Sequence, residues 1–356
     1  MAQIVFDSTE VPLARFQIDD NPDIQWQVNQ LGQDHSDFPL VHCLVTGTAP
    51  TTRNVIIRLS RAQHDRMCLP RIIHDLLSAY LGKVLTQPTG FATFLAESDS
   101  RVQESQSFWK HLLTGSTMTL LGNDMQATGS FSQIQARRVV PCPKLPEGAT
   151  MATVVKAAWS LVLSQFTRQT DVVFGQIVNG RSSLDIADPQ HIVGPCVNIS
   201  PVRVDKITHS SFTDLLNKIQ QQHIQALPHE TLGLDDICRA DGWSHDTTFG
   251  SVVDHVDSRD LLEVRVDELA CKATRYSPEQ PEHSATRVWV VSERNVKDLS
   301  LTIESTEEFL SMDQARQFGE HMGNLLSLAL ARPSPPTLDS DLVALASVKP
   351  QLDCLA

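Results

Sequence analysis

The chain has no Cys-x-x-Cys pair, no basic run longer than the Arg137-Arg138 pair, and no apolar window long enough to span a bilayer. Each absence excludes a class of protein. The seven cysteines (43, 68, 142, 196, 238, 271 and 354) are odd in number and widely spaced. They fit free, mostly buried thiols in a reducing compartment, not a disulfide framework or a zinc site, so a cytoplasmic location and no metal are expected. The net charge is −13, from 42 acidic and 29 basic residues. Such a surface repels phosphate backbones, and without a compensating basic patch no nucleic-acid partner is expected. The start, Met1-Ala-Gln-Ile-Val-Phe-Asp7, lacks a basic segment and has only a three-residue apolar run. Neither a secretory signal nor a membrane partner is expected. There is no internal repeat and no long low-complexity segment.

What is present is ordinary globular composition: 41% hydrophobic and 20% charged residues over a 356-residue chain, longer than one core usually serves. Leu40–Val45 and Asn54–Leu59 read as short buried strands bounded by Gly47, Pro50 and Asn54. Pro70 suits a first helical turn, Ile72, Ile73, Leu76, Leu77 and Tyr80 share one face, and Gly82 suits the C-terminal cap. Arg61 to Leu69 is therefore a strand-to-helix loop, a common place for functional side chains. Glu104–Leu113 and Thr150–Phe166 follow as helices, with Gly115–Gly129 a polar connector between them. Asp171–Phe174, Thr248–Val253, Arg287–Val291 and Leu299–Ile303 read as strands. Ser211 with Asp214 forms a capping box ahead of the Phe212, Leu215, Leu216, Ile219 stripe. Asp313 precedes a helix whose inner face carries Phe318, Met322, Leu325, Leu326 and Ala329; Arg332–Pro336 then breaks regular structure. Two blocks of strands alternating with long helices indicate an α/β protein of two lobes.

Three stretches carry a more specific signal: Leu59-Ser-Arg-Ala-Gln-His-Asp-Arg-Met-Cys-Leu-Pro70, Asp171-Val-Val-Phe-Gly-Gln-Ile-Val-Asn-Gly-Arg181 and Ile192-Val-Gly-Pro-Cys-Val-Asn-Ile-Ser-Pro-Val-Arg-Val204. Together they resemble the condensation domains of nonribosomal peptide synthetases, particularly fungal ones. The resemblance implies a two-lobed, chloramphenicol-acetyltransferase-like α/β fold. It also implies amide- or ester-forming acyl transfer between groups tethered to carrier proteins, within or beside a larger synthetase. The cofactor it implies is indirect: the phosphopantetheine arms of partner carriers, with nothing bound by the chain itself. On this pattern residues 1–117 are an incomplete N-terminal lobe holding the catalytic loop, 118–335 the C-terminal lobe, and 336–356 a linker-like tail. The family's first two sequence markers have no counterpart here, and the tail resembles the start of a linker to an adenylation domain. That is the expectation for a module excised from a larger assembly line.

In the family the first stretch carries a His-x-x-x-Asp-Gly signature whose histidine serves the amide-forming step. Here Arg61 stands at the histidine position, Asp65 at the aspartate and Arg66 at the glycine. A guanidinium, with a pKa above ~12, does not act as a base at neutral pH, and loss of a general base costs ~10² to 10⁴ in rate. Impaired catalysis is the expectation. Arg61 as an oxyanion donor and His64 as a displaced base are the two routes by which activity could persist. Asp65 is expected to be structural, with Arg181 a candidate partner. Arg66 is a further departure from the signature, because glycine often serves a backbone conformation that arginine resists. Gly194 and Asn198 belong to the stretch that would line the substrate channel, Asn198 offering donor and acceptor to a pantetheine amide; the alternative for both is a turn ahead of a buried strand. His229–Ile237 resembles the next family marker and is expected to be scaffold. Related acyltransferases that use coenzyme A carry an Asp-Phe-Gly-Trp-Gly element, which Thr248-Phe-Gly-Ser251 does not match. Three readings stay open: a weak acyltransferase, a non-catalytic carrier-binding or gating module, and a truncated relic.

Overall fold

The computed structural model describes residues 41–46, 54–59, 63–86, 89–121, 132–142, 145, 148–207, 211–257, 263–266, 269–272 and 286–331. The expectations for Arg61, for connector residues 122–129, for the Ala329 side chain and for 332–356 lie outside them. Two compact units form. One draws on Met1–Glu97, Asp185–Cys196 and Leu262–Glu282, the other on Ser98–Leu184, Val197–Leu261 and His283–Ala356.

In the smaller unit, strands β1 (Val41–Thr46) and β2 (Asn54–Leu59) pair antiparallel, with Val41 opposite Leu59 and Thr46 opposite Asn54. A single 3₁₀ turn, Arg66–Cys68, leads into helix α1 (Leu69–Tyr80), whose Pro70 occupies the first turn where its missing N–H costs nothing. The apolar stripe of α1 is only partly buried. Leu77 is covered, whereas Leu76 and Tyr80 are exposed, so periodicity marked a helix but overstated its inner face. Helix α2 (Phe91–Ser100) was not anticipated; its Phe91 and Phe94 rings stack with centroids 5.6 Å apart.

The larger unit is built on helices α3 (Val102–Leu113), α4 (Met151–Thr167), α5 (Phe212–Ala226), α6 (Leu234–Asp241) and α7 (Met312–Ala331). Its six-stranded sheet comprises β3 (Gln133–Pro141), β4 (Val172–Asn179), β5 (Val197–Val204), β6 (Ser251–Asp257), β9 (Val288–Arg294) and β10 (Asp298–Thr306), in the order β3-β10-β9-β6-β4-β5. A separate antiparallel pair, β7 (Glu263–Val266) with β8 (Leu269–Lys272), belongs to the smaller unit. In the large sheet the β9–β6 and β6–β4 pairs are parallel and the others antiparallel.

Strand β4 shows why both sheet faces are covered. Successive side chains alternate faces, and Val172 and Phe174 join the core beneath α4, α5 and α7, while Val173 joins a second cluster with Trp109, Leu113 and Ile237 from α3 and α6. Helix α4 begins at Thr150, whose hydroxyl accepts from Thr153 N at 3.1 Å, and buries Val154, Val155, Trp159, Val162 and Leu163. Trp159 also donates its indole N–H to Ser251 Oγ at 3.0 Å. A Trp159→Ala change would cost about 3–5 kcal/mol and break this layer first. The expected capping box forms, Ser211 Oγ receiving Asp214 N and Asp214 Oδ2 receiving Ser211 N. Where β4 passes its neighbours, Gly175 leaves no room for a Cβ, which would press against Ile199, Phe249 and Val252.

Candidate functional site

The loop ahead of α1 is organised by one buried carboxylate. Asp65 has extended backbone and caps the 3₁₀ turn, Oδ1 accepting from Cys68 N at 3.0 Å. Its Oδ2 accepts from Cys196 N at 2.8 Å. The Cys68 thiol completes the turn by donating to Asp65 O at 3.3 Å. Asp65 thereby ties the loop to the Gly194-Pro195-Cys196 turn, 131 residues away in sequence and within the same unit. Charge-assisted bonds from two backbone amides satisfy this carboxylate where water does not reach it.

The neighbouring expectations sort as follows. His64 is half-buried immediately before Asp65. Arg66 opens the 3₁₀ turn and is not among the residues with positive φ, which among the described non-glycines are Arg168, Asp188 and Lys206. The backbone at position 66 therefore demands no glycine, and arginine is accommodated there. Gly194 is required by close approach: a Cβ at this position would lie 2.4 Å from Phe91 Cδ2.

In the larger unit, Arg181 is fully buried in a 3₁₀ turn, Gly180–Ser183. Asn179 caps this turn, its Oδ1 accepting from Arg181 N and from Nη1, each at 3.3 Å. Asn198 lies on β5 and spends both amide hydrogens on backbone: Nδ2 donates to Glu230 O and to Leu232 O, each at 2.8 Å. The marker Gly194–Arg203 is thus divided, Gly194 to Cys196 belonging to the smaller unit and β5 to the larger. Arg203, read from sequence only as part of that marker, makes a two-pronged pair with Asp171 at 3.1 and 2.7 Å and donates to Leu112 O and Thr114 O. It joins β5 and β4 to the end of α3.

Two polar features of the larger unit were missed or underrated from sequence. His229 stacks on Phe108 with centroids 4.4 Å apart, lies 3.1 Å from Ser105 Oγ through Nδ1, and accepts the Trp109 indole N–H on its carbonyl at 3.0 Å. Burial lowers its pKa, partly offset by the Glu104 carboxylate. The second feature is a cavity of about 240 Å³ bordered by α4, α5, β4 and β6 and lined by Lys156, Gln176, Ser182, His223, Glu230 and His255, among others. Lys156 is buried and donates to Gln176 Oε1 at 2.6 Å. Desolvation lowers its pKa from 10.5 to about 8, although the Glu230 charge opposes that shift. A lysine within the mostly apolar buried face of this helix was the available sequence signal.

A family model described as the condensation domain matches residues 62–348. The chain belongs to the condensation-domain family. Among curated relatives of this condensation domain, the nonribosomal peptide synthetase notE of Aspergillus sp. (strain MF297-2) is 31% identical over 310 residues, 83% of this chain and 14% of the relative. The nonribosomal peptide synthetase fmqA of Aspergillus fumigatus is 30% identical over 348 residues, covering 94% of this chain and 9% of the relative. The chain thus spans a small part of the length of the relatives it matches. The crystal structure of holo T3CT superposes with a TM-score of 0.78 at 25% identity, covering 94% of this chain and 78% of that one. The condensation domain from the Monacolin K polyketide synthase MokA shares the fold, with a TM-score of 0.69 at 16% identity over 92% of this chain and 81% of its own. The fold is the mixed α/β, chloramphenicol-acetyltransferase-like class expected from the sequence. Among the described residues, no helix is long and apolar enough to cross a membrane.

Proposed function

We propose that this condensation domain serves nonribosomal peptide-type biosynthesis, engaging acyl or aminoacyl groups on the phosphopantetheine arms of carrier proteins, and that its amide- or ester-forming step is impaired. What supports the reading is the family match across residues 62–348; the impairment rests on our placing Arg61, one residue ahead of that match, at the family's histidine position. Arginine holds its proton at neutral pH, so it cannot take one from an incoming amine. Asp65, whose oxygens are committed to Cys68 N and Cys196 N, acts as scaffold and not as a substitute base. On this reading Gly194, Arg181 and Asn198 belong to the substrate channel's framework, and His64 is the loop's imidazole. The work is confined to a compartment that keeps thiols reduced, consistent with four described free cysteines.

The same observation supports a second reading, a non-catalytic module that docks carriers or gates a synthetase, since docking requires no base. One experiment separates them. The purified protein and its Arg61→His variant are offered an acyl-loaded carrier and a carrier-bound amine, and product is followed by mass spectrometry. Impaired catalysis predicts slow product above a boiled control and a gain of ~10² or more in the variant. No product from either form, with saturable binding of the loaded carrier, selects the gating module. Neither product nor binding overturns both readings.

A further inference from the structure

The cavity of the larger unit has features that scaffolding does not explain. Its charged lining is one cation and one anion, Lys156 and Glu230, with Gln176, Ser182 and the imidazoles of His223 and His255 beside them. Glu230 is 1% exposed, and His223 Nδ1 lies 3.2 Å from its Oε1. The two atoms are not aligned for a hydrogen bond. Each is therefore a buried polar atom without one. Proteins rarely leave such atoms unsatisfied unless a solvent molecule or ligand completes them. On the opposite side of the balance, Lys156 uses one of its three donors on Gln176 Oε1.

An open acceptor on Glu230 and open donors on Lys156 call for a ligand group that both donates and accepts. Lys156 and Glu230 offset one another's charge, so a net anion would meet the Glu230 carboxylate and a net cation would meet Lys156; burial magnifies either repulsion. A hydroxyl can give and take, but from a single atom. A carboxamide presents its donor and acceptor on two atoms held in one plane, matching two separate partners. We infer that this cavity binds a carboxamide, its carbonyl oxygen toward Lys156 and its N–H toward Glu230. The inference rests on the larger unit alone and is independent of the role assigned to Arg61. The amide can come from a side-chain carboxamide or from a peptide-like secondary amide.

Ligand-observed NMR at pH 7 with four small probes tests it: propionamide, N-methylacetamide, propionate and propylammonium. At least one amide is expected to saturate with a dissociation constant in the millimolar range, the scale set by so small a ligand, and to exceed both ions in affinity. Binding of propionamide alone identifies a side-chain carboxamide; equal or tighter binding of N-methylacetamide identifies a peptide-like amide. Lys156→Met and Glu230→Gln should each weaken the bound amide by about tenfold or more, the loss expected for one hydrogen bond to a charged group. Should either variant fail to fold, the wild-type imidazole resonances decide. The amide must shift His223 and His255 while leaving the exposed His191 and His245 unmoved. Tighter binding of either ion, saturation by no amide, or shifts confined to other histidines overturns the proposal.

Discussion

Two buried carboxylates, Asp65 in the smaller unit and Glu230 in the larger, are placed in opposite circumstances. Asp65 is 5% exposed and receives backbone N–H groups on both oxygens, from Cys68 and from Cys196. Glu230 is 1% exposed and leaves Oε1 without a hydrogen bond, in a cavity that also holds a desolvated lysine. Burial alone therefore says little about function. A satisfied carboxylate is a fastener that holds two segments of chain together, and an unsatisfied one is a binding capacity held in reserve.

The largest effect expected from breaking this contrast is at Asp65. Asp65→Ala removes a helix cap and the bond to Cys196 together, and should destabilise the smaller unit by about 3 kcal/mol. Urea unfolding monitored in that unit checks it; a loss below about 1 kcal/mol would make Asp65 dispensable to the scaffold.

Next comes Lys156. Its pKa falls from 10.5 to about 8 in the folded chain, so between these values the unfolded chain still binds the proton that the folded chain has released. Stability should then rise with pH across that window, with an upper bound of about 3 kcal/mol, and the contribution should be flat below it. Lys156→Met should remove the slope and leave the protein more stable at pH 7, by less than that bound because the Gln176 partner is lost. Thermal unfolding of both forms from pH 7 to 10.5 measures this. The groups facing Lys156 are Glu230, His223 and His255. Amide binding should weaken above pH about 8 as the ammonium loses its proton.

A smaller effect sharpens the pairing. Glu230→Gln removes the one charge that supports the protonated lysine, so the Lys156 pKa should fall below about 8, read from the pH dependence of its chemical labelling. An unchanged pKa would show that the two groups do not sense one another. The smallest effect is at His229, whose pKa burial holds below 6.5. The unfolded chain takes up its proton first on acidification, so stability should decline gently as pH drops through that value. His229→Gln should flatten the decline in a pH-dependent melting series.

These contrasts also mark how far local pattern carried. The strands β1 and β2, the start of α1 at Pro70, the capping box at Ser211 and the helix after Asp313 all follow from signals within a turn or two of chain. Helix α2 and strand β3 escaped because Phe91–Ser100 has a weak apolar face and Gln133–Pro141 carries two arginines on an exposed stretch. The solvent exposure of Leu76 and Tyr80 depends on what packs against α1, which periodicity does not report.

By itself the sequence determined the family and the alternation of strands and helices, because each is written in contiguous residues. Tertiary structure alone decided that Asp65 fastens a turn 131 residues distant and that Glu230 and His223 share one cavity with Lys156. Hydrogen-bond satisfaction and desolvation arise only when distant segments exclude water together, and no local spacing encodes that event.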